Sequence, residues 1–355
     1  MKTKIKIIAV FSFAIFAYVF LATQGNTQTK QIETAGQKFK NIKVLNDMPA
    51  DQLGKVMNIM SASLGVHCNF CHVSNDADFE KDGKKEKETA REMIKMTFEL
   101  NKNHFDNRPE ISCNTCHGGR SHPQSAPNLN PVVAEERPVQ PEKKPTVDEI
   151  LAKYETALGG KANLAKVTSR QIKAQRVEPD GKTVEEEEVL QKAGKILATT
   201  KYPNYIVTEG FDSKVAWKRG NKDEIVLKAD EAEQIKREAQ LFANPNLKEI
   251  YPKMDFRFVD KIDGREVYVV LATNADNSRD RLNFDAATGL LVRRSAGVPT
   301  VLGAFVFQVD YTDYKDFGGV KLPASVRFAV PNISWTRKVL EVKNNVTIDD
   351  VKFLK

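Results

Sequence analysis

Two short stretches decide how this chain is read: Cys68-Asn69-Phe70-Cys71-His72 and Cys113-Asn114-Thr115-Cys116-His117. In each, two thiols stand three positions apart and a histidine follows the second. That is the attachment signature of c-type haem. Thiols so placed add to the two vinyl groups of one haem. The neighbouring histidine is then held beneath the iron as proximal ligand, and the opposite axial position falls to another residue. A C-x-x-C pair alone also fits a zinc half-site, a redox dithiol or a disulfide. Here both pairs carry the histidine, and together they use all four cysteines of the chain. A four-thiolate zinc site would leave both histidines idle. The expected cofactors are therefore two covalently bound haem c groups, attached at Cys68, Cys71, Cys113 and Cys116 with His72 and His117 on iron.

Working outward, each motif follows a probable helix. The first has Asp47 near its cap, Pro49 in its first turn, and apolar positions Leu53, Val56, Met57, Met60 and Leu64. The second runs from about Glu86 to Asn103, with Ala90, Met93, Met96 and Leu100 on one face. Each carries Met-x-x-Met, and residues three apart share a helix face. The chain thus holds two copies of one unit, a methionine-bearing helix before a haem motif. Thioethers also fill irregular cores well, so periodicity leaves open which of Met57 or Met60, and which of Met93 or Met96, faces iron. Three spare histidines, His67, His104 and His122, are alternative distal ligands; histidine there would lower the haem potential relative to Met/His ligation. The mixed-sign run Asp76 to Glu88 reads as a solvated loop. Arg120 is a candidate partner for a haem propionate.

The stretches Phe39-Lys40-Asn41-Ile42-Lys43-Val44-Leu45, Met57-Asn58-Ile59-Met60, Gly65-Val66-His67 with the first motif, Ala90-Arg91-Glu92-Met93-Ile94-Lys95-Met96-Thr97, and the second motif with Gly118-Gly119-Arg120 resemble the cytochrome c subunit of photosynthetic reaction centres. The resemblance spans residues 38–122 or so. It implies a distal methionine on the helix before each motif, which by position is Met57 and Met93. That family has four haem motifs and this chain two, so docking to a photosynthetic reaction centre does not follow.

The remaining sequence sets the organisation. Lys2, Lys4 and Lys6, the apolar run 7–22, and the polar stretch 23–29 have the order of a secretory signal. Cleavage after Gly25 is the best-placed site. An uncleaved anchor is the alternative, although sixteen residues at helical rise reach only about 24 Å. Either way the chain is expected outside the cytoplasm, periplasmic or otherwise exported, soluble or held to the membrane by this segment. Residues 26–122 hold all five histidines and five of the seven methionines. Six prolines between Pro123 and Pro145 mark an extended linker. The net charge of +7 includes the three lysines of the leader, so it gives no reason to expect a nucleic acid partner.

Residues 146–355 change character. A helix over 146–158 ends at Gly159-Gly160, and a second is expected over 229–242. Short alternating runs dominate elsewhere, with hairpins at Asp263-Gly264 and Thr288-Gly289 and a turn at Gly318-Gly319. The expected fold class is α+β in two domains. One is a mostly helical cytochrome c domain over 26–122. The other, after the linker 123–145, is an antiparallel sheet with one or two covering helices over 146–355. The opening Thr146–Tyr154 through Gly160 and the closing Asp310–Phe317 with Gly319–Pro323 loosely resemble periplasmic lipoprotein-carrier half-barrels. That likeness implies a curved sheet with an apolar concavity, so an apolar ligand joins redox proteins as a candidate partner. No histidine or cysteine lies beyond residue 122. The leading functional expectation is an electron carrier and not an enzyme. A peroxidase-like dihaem enzyme with one open iron, and a haem-linked sensor using the sheet, are the alternatives.

Overall fold

The computed structural model describes residues 33–74, 77–125, 140–182, 184–221, 224–227, 229–243 and 246–355. The expected leader, residues 1–25, and the middle of the proline-rich stretch lie outside these. No helix among the described residues is long and apolar enough to cross a membrane.

The chain divides into two compact units, residues 1–53 and 54–355. The described part of the first, from residue 33, is a small closed loop. Thr34 caps a four-residue helix, α1 (Ala35–Lys38), through a reciprocal pair with Gln37. The Ala35 N–H donates to Met48 O at 2.7 Å and the Ala50 N–H to Glu33 O at 2.9 Å. These bonds close the loop over buried Ala35, Leu45, Met48 and Ala50.

In the second unit, helices α2 (Leu53–Leu64), α3 (Lys85–His104) and α4 (Cys113–His117) carry the two motifs. Helices α5 (Val147–Ala157) and α6 (Lys161–Leu164) lead into a thirteen-stranded antiparallel sheet. Strands β1 (Ser169–Val177), β2 (Val184–Lys192), β3 (Lys195–Lys201), β4 (Ile206–Phe211), β5 (Ala216–Arg219) and β6 (Glu224–Val226) meander to one edge. Helices α7 (Ala229–Ala243) and α8 (Leu247–Ile250) then carry the chain to the opposite edge. There β7 (Lys253–Ile262), β8 (Arg265–Thr273), β9 (Arg279–Asp285), β10 (Leu291–Thr300), β11 (Gly303–Asp316), β12 (Lys321–Val330) and β13 (Ile333–Asn344) meander back. Pairing of β13 with β1 unites the halves.

The helix over 146–158 stops where expected: Gly159 and Gly160 take φ of 118° and 81°, a region side chains avoid. Asp263 and Gly264, at φ 49° and 76°, form the two-residue turn that suits the twist of β7 and β8. Register shifts at Lys173/Ala174, Phe256/Phe258 and Leu291/Arg293 are bulges that bend the strands. The sheet is therefore open and bent, with α5, α7 and α8 on one face, and the expected fold class holds.

That face is apolar at its two flanks. Ile150 of α5, Leu247 of α8 and the adjoining Tyr251 pack there against Val270, Leu282, Phe284 and Leu291. Ile235 and Ala239 of α7 pack against Ile172, Val189, Ile196 and Phe211. Between them the face carries charge, where an apolar concavity was expected. Arg337 on β13 donates to both carboxylate oxygens of Glu187 on β2, at 2.6 and 2.8 Å, and to Glu238 on α7 at 3.2 Å. Asp280 on β9 accepts from Tyr251 at 2.5 Å and lies 3.4 Å from Arg237 and 3.5 Å from Arg294. The period-two alternation that places Val189 inward on β2 places Glu185 and Glu187 inward too; β13 supplies the partner of Glu187, Arg337, and α7 adds Glu238.

Candidate functional site

Helix α2 ends at Gly65 with φ 66°. The Val66 N–H donates to Ser61 O at 3.1 Å and the Gly65 N–H to Ala62 O at 3.3 Å, the paired bonds of a left-handed helix stop. The chain turns at once into the 3₁₀ segment Cys68–Phe70, and His72 N–H closes on Cys68 O at 3.0 Å. A single turn thus brings Cys68, Cys71 and His72 together. The second motif is the α-helical turn α4, stopped by Gly118 and Gly119 at φ 52° and 85°. It is fixed to α3 by Asn101, whose buried side chain donates to Ile111 O at 2.8 Å and accepts from Ile111 N–H at 2.9 Å.

The two motifs meet back to back. The Gly119 N–H donates to Ser63 O at 2.8 Å, and a Cβ on Gly65 would stand 2.2 Å from Gly119 O. Only glycine fits at 65. Gly65→Ala is expected to cost at least the roughly 1–2 kcal/mol of a left-handed side-chain-bearing residue, and to separate the motifs. Thermal unfolding of the haem-loaded protein measures this, and an unchanged midpoint would show that the contact is not formed.

Both motif histidines are oriented the same way. His72 Nδ1–H donates to Phe79 O at 3.0 Å, and His117 Nδ1–H donates to Arg120 O at 2.9 Å. A carbonyl only accepts, so Nδ1 carries the proton in each ring and Nε2 keeps its lone pair for a metal. Phe79 also packs edge-on against the His72 ring, centroids 5.2 Å apart. Burial pulls the His72 imidazole below its usual range, opposed by the Phe79 carbonyl and aided by Lys87 and Arg91, which favours the neutral, ligating form. Burial, then Glu86, pushes the Cys71 thiol up, and burial does the same to Cys113. Among the described residues no three of His, Cys, Asp and Glu converge as a metal cage.

The methionines of α3 lie on a helix face left uncovered by the polypeptide. Helix α3 buries Arg91, Ile94, Thr97 and Asn101. Met93 and Met96, on another stripe, are 39% and 41% exposed. Helix α2 buries Val56 and Ile59 and leaves Met57 and Met60 half-buried. Thioethers facing solvent beside a C-x-x-C-H motif are what a chain shaped around haem would present, and the residues present fit that group. Next to the first motif an open cleft of about 700 Å³ is lined by Val66, His67, Asn69, Phe70, Lys84 and Lys85.

The run 77–88 is largely exposed, as expected, but it is tied down by ion pairs and hydrogen bonds. Lys87, with 11% of its side chain exposed, pairs with Asp82 at 3.1 Å, and Arg91 reaches the same carboxylate at 3.0 Å. Lys87 also donates to Phe79 O and Lys81 O at 2.9 and 2.8 Å. The roles of Phe79 and Arg120 rest on backbone carbonyls, which no residue type advertises. His104 and His122 sit at the end of α3 and beyond α4, and His122 Nδ1 lies 3.1 Å from Ser121 Oγ.

Residues 15–155 match the family of the photosynthetic reaction centre cytochrome C subunit. Two curated relatives are photosynthetic reaction center cytochrome c subunits. The one from Roseobacter denitrificans is 32% identical over 109 residues, 28% of this chain and 29% of that protein. The one from Rubrivivax gelatinosus is 31% identical over 94 residues, 25% of each. Of solved structures, a LolA superfamily protein from Nitrosomonas europaea is similar at a TM-score of 0.42 and 14% identity, covering 60% of this chain and 99% of its own. A lipoprotein-sorting protein domain from Vibrio parahaemolyticus is similar at a TM-score of 0.40 and 9% identity, covering 58% and 93%. The part of the chain that holds both C-x-x-C-H motifs is thus similar to the reaction-centre cytochrome c subunits, in a match that ends within α5, before the first strand of the sheet.

Proposed function

We propose that this chain is an exported dihaem c-type cytochrome that passes electrons between redox proteins and catalyses no reaction of its own. The observation that carries the reading is the paired histidine geometry: each C-x-x-C-H turn has its Nδ1–H on a backbone carbonyl and Nε2 left to ligate. Haem c, when bound, supplies a one-electron iron couple whose potential follows its axial ligands and surroundings. The protein attaches it through Cys68 and Cys71, and through Cys113 and Cys116, holds the imidazoles of His72 and His117 in the neutral tautomer, and offers Met57 and Met93 as distal ligands. The exposed thioethers of α3 and the similarity of residues 15–155 support that assignment. We further propose that the boundary between haem-bearing and sheet-bearing parts falls in the stretch 123–145.

Two supplied axial ligands per iron leave no open site, and this separates a carrier from a peroxidase-like enzyme. The reduced wild type is expected to bind no carbon monoxide, and Met57→Ala and Met93→Ala to create one adduct each. A wild-type adduct would move the enzyme reading forward. Spectra unmoved by Met57→Ala and Met93→Ala would shift the ligand role to Met60, Met96 or one of His67, His104 and His122.

For the sheet we propose a docking or spacer module with a filled core, supported by the buried ion pairs that α7 closes over. Lipid recovered by solvent extraction of the purified protein would replace that role with carriage of an apolar ligand.

A further inference from the structure

The two motifs are alike in sequence, but their histidines are not held alike. His117 donates to a carbonyl three residues on, delivered by the Gly118-Gly119 turn. Among the described residues no second hydrogen bond to that Arg120 oxygen is found. The first motif continues as Val73-Ser74 and has no such turn. Its acceptor is Phe79 O, seven residues on, and that oxygen also accepts from the Lys87 ammonium at 2.9 Å. Lys87 is nearly buried and is held in place by Asp82 and by Lys81 O. Arg91, with 8% of its side chain exposed, reaches the same Asp82 oxygen as Lys87 and pairs with Glu88.

An imidazole that donates strongly through Nδ1 gains imidazolate character and becomes a better donor to iron, favouring the oxidised state. An oxygen already engaged by a cation is a poorer acceptor for a second N–H. We propose, building on the dihaem reading, that Lys87 is a positioning residue for the first haem: by sharing the Phe79 carbonyl it weakens the His72 Nδ1–H bond and sets that haem at the higher of two unequal potentials. Removing Lys87 strengthens the histidine bond, deletes a cation and leaves Asp82 without one of its partners. All three changes act in one direction, towards lower potential.

The test is a spectroelectrochemical titration of the haem-loaded Lys87→Met protein beside wild type, with haem counted by intact mass. Two separate midpoints are expected in wild type. In Lys87→Met the higher one is expected to move down and narrow the gap, while the lower one stays. Lys87→Arg, which keeps a cationic donor, is expected to hold the gap. Lys87→Gln, which keeps a neutral donor, is expected to give a smaller shift of the same sign and serves if Lys87→Met does not accumulate. Midpoints that stay put, or move together, in proteins carrying two haems would overturn the role of Lys87 and leave the dihaem reading standing. Fewer than two attached haems in wild type would overturn both.

Discussion

A chain in which Cys113 and Cys116 are both alanine is expected to emerge from an exporting host with one haem where wild type carries two. The intact mass falls by one haem, and haemochrome absorbance per chain is halved. Substituting Cys68 and Cys71 gives the same loss at the other site. The reason is local: each attachment turn is closed by its own backbone, the first by His72 N–H on Cys68 O and the second by the α4 turn with Gly118 N–H on Asn114 O. Neither turn borrows a thiol from the other. The residual haem should keep its axial histidine, because His72 and His117 are oriented by different carbonyls. A single pair of substitutions that removed both haems would mean that the Ser63–Gly119 contact couples their loading. A wild type with no haem and bound zinc would remove the cytochrome reading altogether.

Much of this arrangement is legible in the chain because it is local. C-x-x-C-H specifies its own turn, Gly159-Gly160 stops α5, and Asp263-Gly264 joins β7 to β8. The helices before the motifs follow from apolar spacing. Which stripe of α3 is buried does not follow. Ala90, Met93, Met96 and Leu100 form its most apolar face, but the polypeptide packs against Arg91, Ile94, Thr97 and Asn101. Burying Arg91 is possible because Asp82 and Glu88 neutralise it, and burying Asn101 because Ile111 satisfies its amide. The methionine stripe is released from the core and stands exposed. A hydrophobic pattern cannot distinguish a face made for protein from one made for haem, since both are apolar.

The carbonyls that orient His72 and His117 are equally silent, because every residue has one. The sheet hides its polar interior for a different reason. Glu187 and Arg337 are 150 positions apart and meet only through the pairing of β1 with both β2 and β13. In isolation the run Glu185-Glu186-Glu187-Glu188 reads as a solvated strand. Alternation buries Glu185 and Glu187 at 5% exposure each and leaves Glu186 and Glu188 outside.

That burial makes Arg337→Ala the substitution with the largest expected cost in stability. Arg337 fills a buried position: its guanidinium sits 5.1 Å over the Phe328 ring and 5.5 Å over Trp335, and binds Glu187 with two hydrogen bonds. Burial disfavours its charge, but Glu187 and Glu238 outweigh that and push its pKa above the usual arginine range. An ion pair so placed adds little net stability over an apolar pair of the same size. Breaking it is another matter, because Glu187, with 2% of its side chain exposed, would remain as an uncompensated charge. Loss of one partner of a buried pair costs about 3–5 kcal/mol. For a sheet of this size that lowers the unfolding midpoint by roughly 6–20 °C. The double variant Arg337→Met with Glu187→Leu removes both charges and is expected to recover most of the loss, by the same reasoning that makes the single variant costly. Calorimetry of the three proteins decides it. If Arg337→Ala is no less stable than wild type, Glu187 is solvated and α7 does not seal this face. If the single variant falls and the double recovers, the charged band is a paired core, and Glu238 ties α7 to the sheet through it.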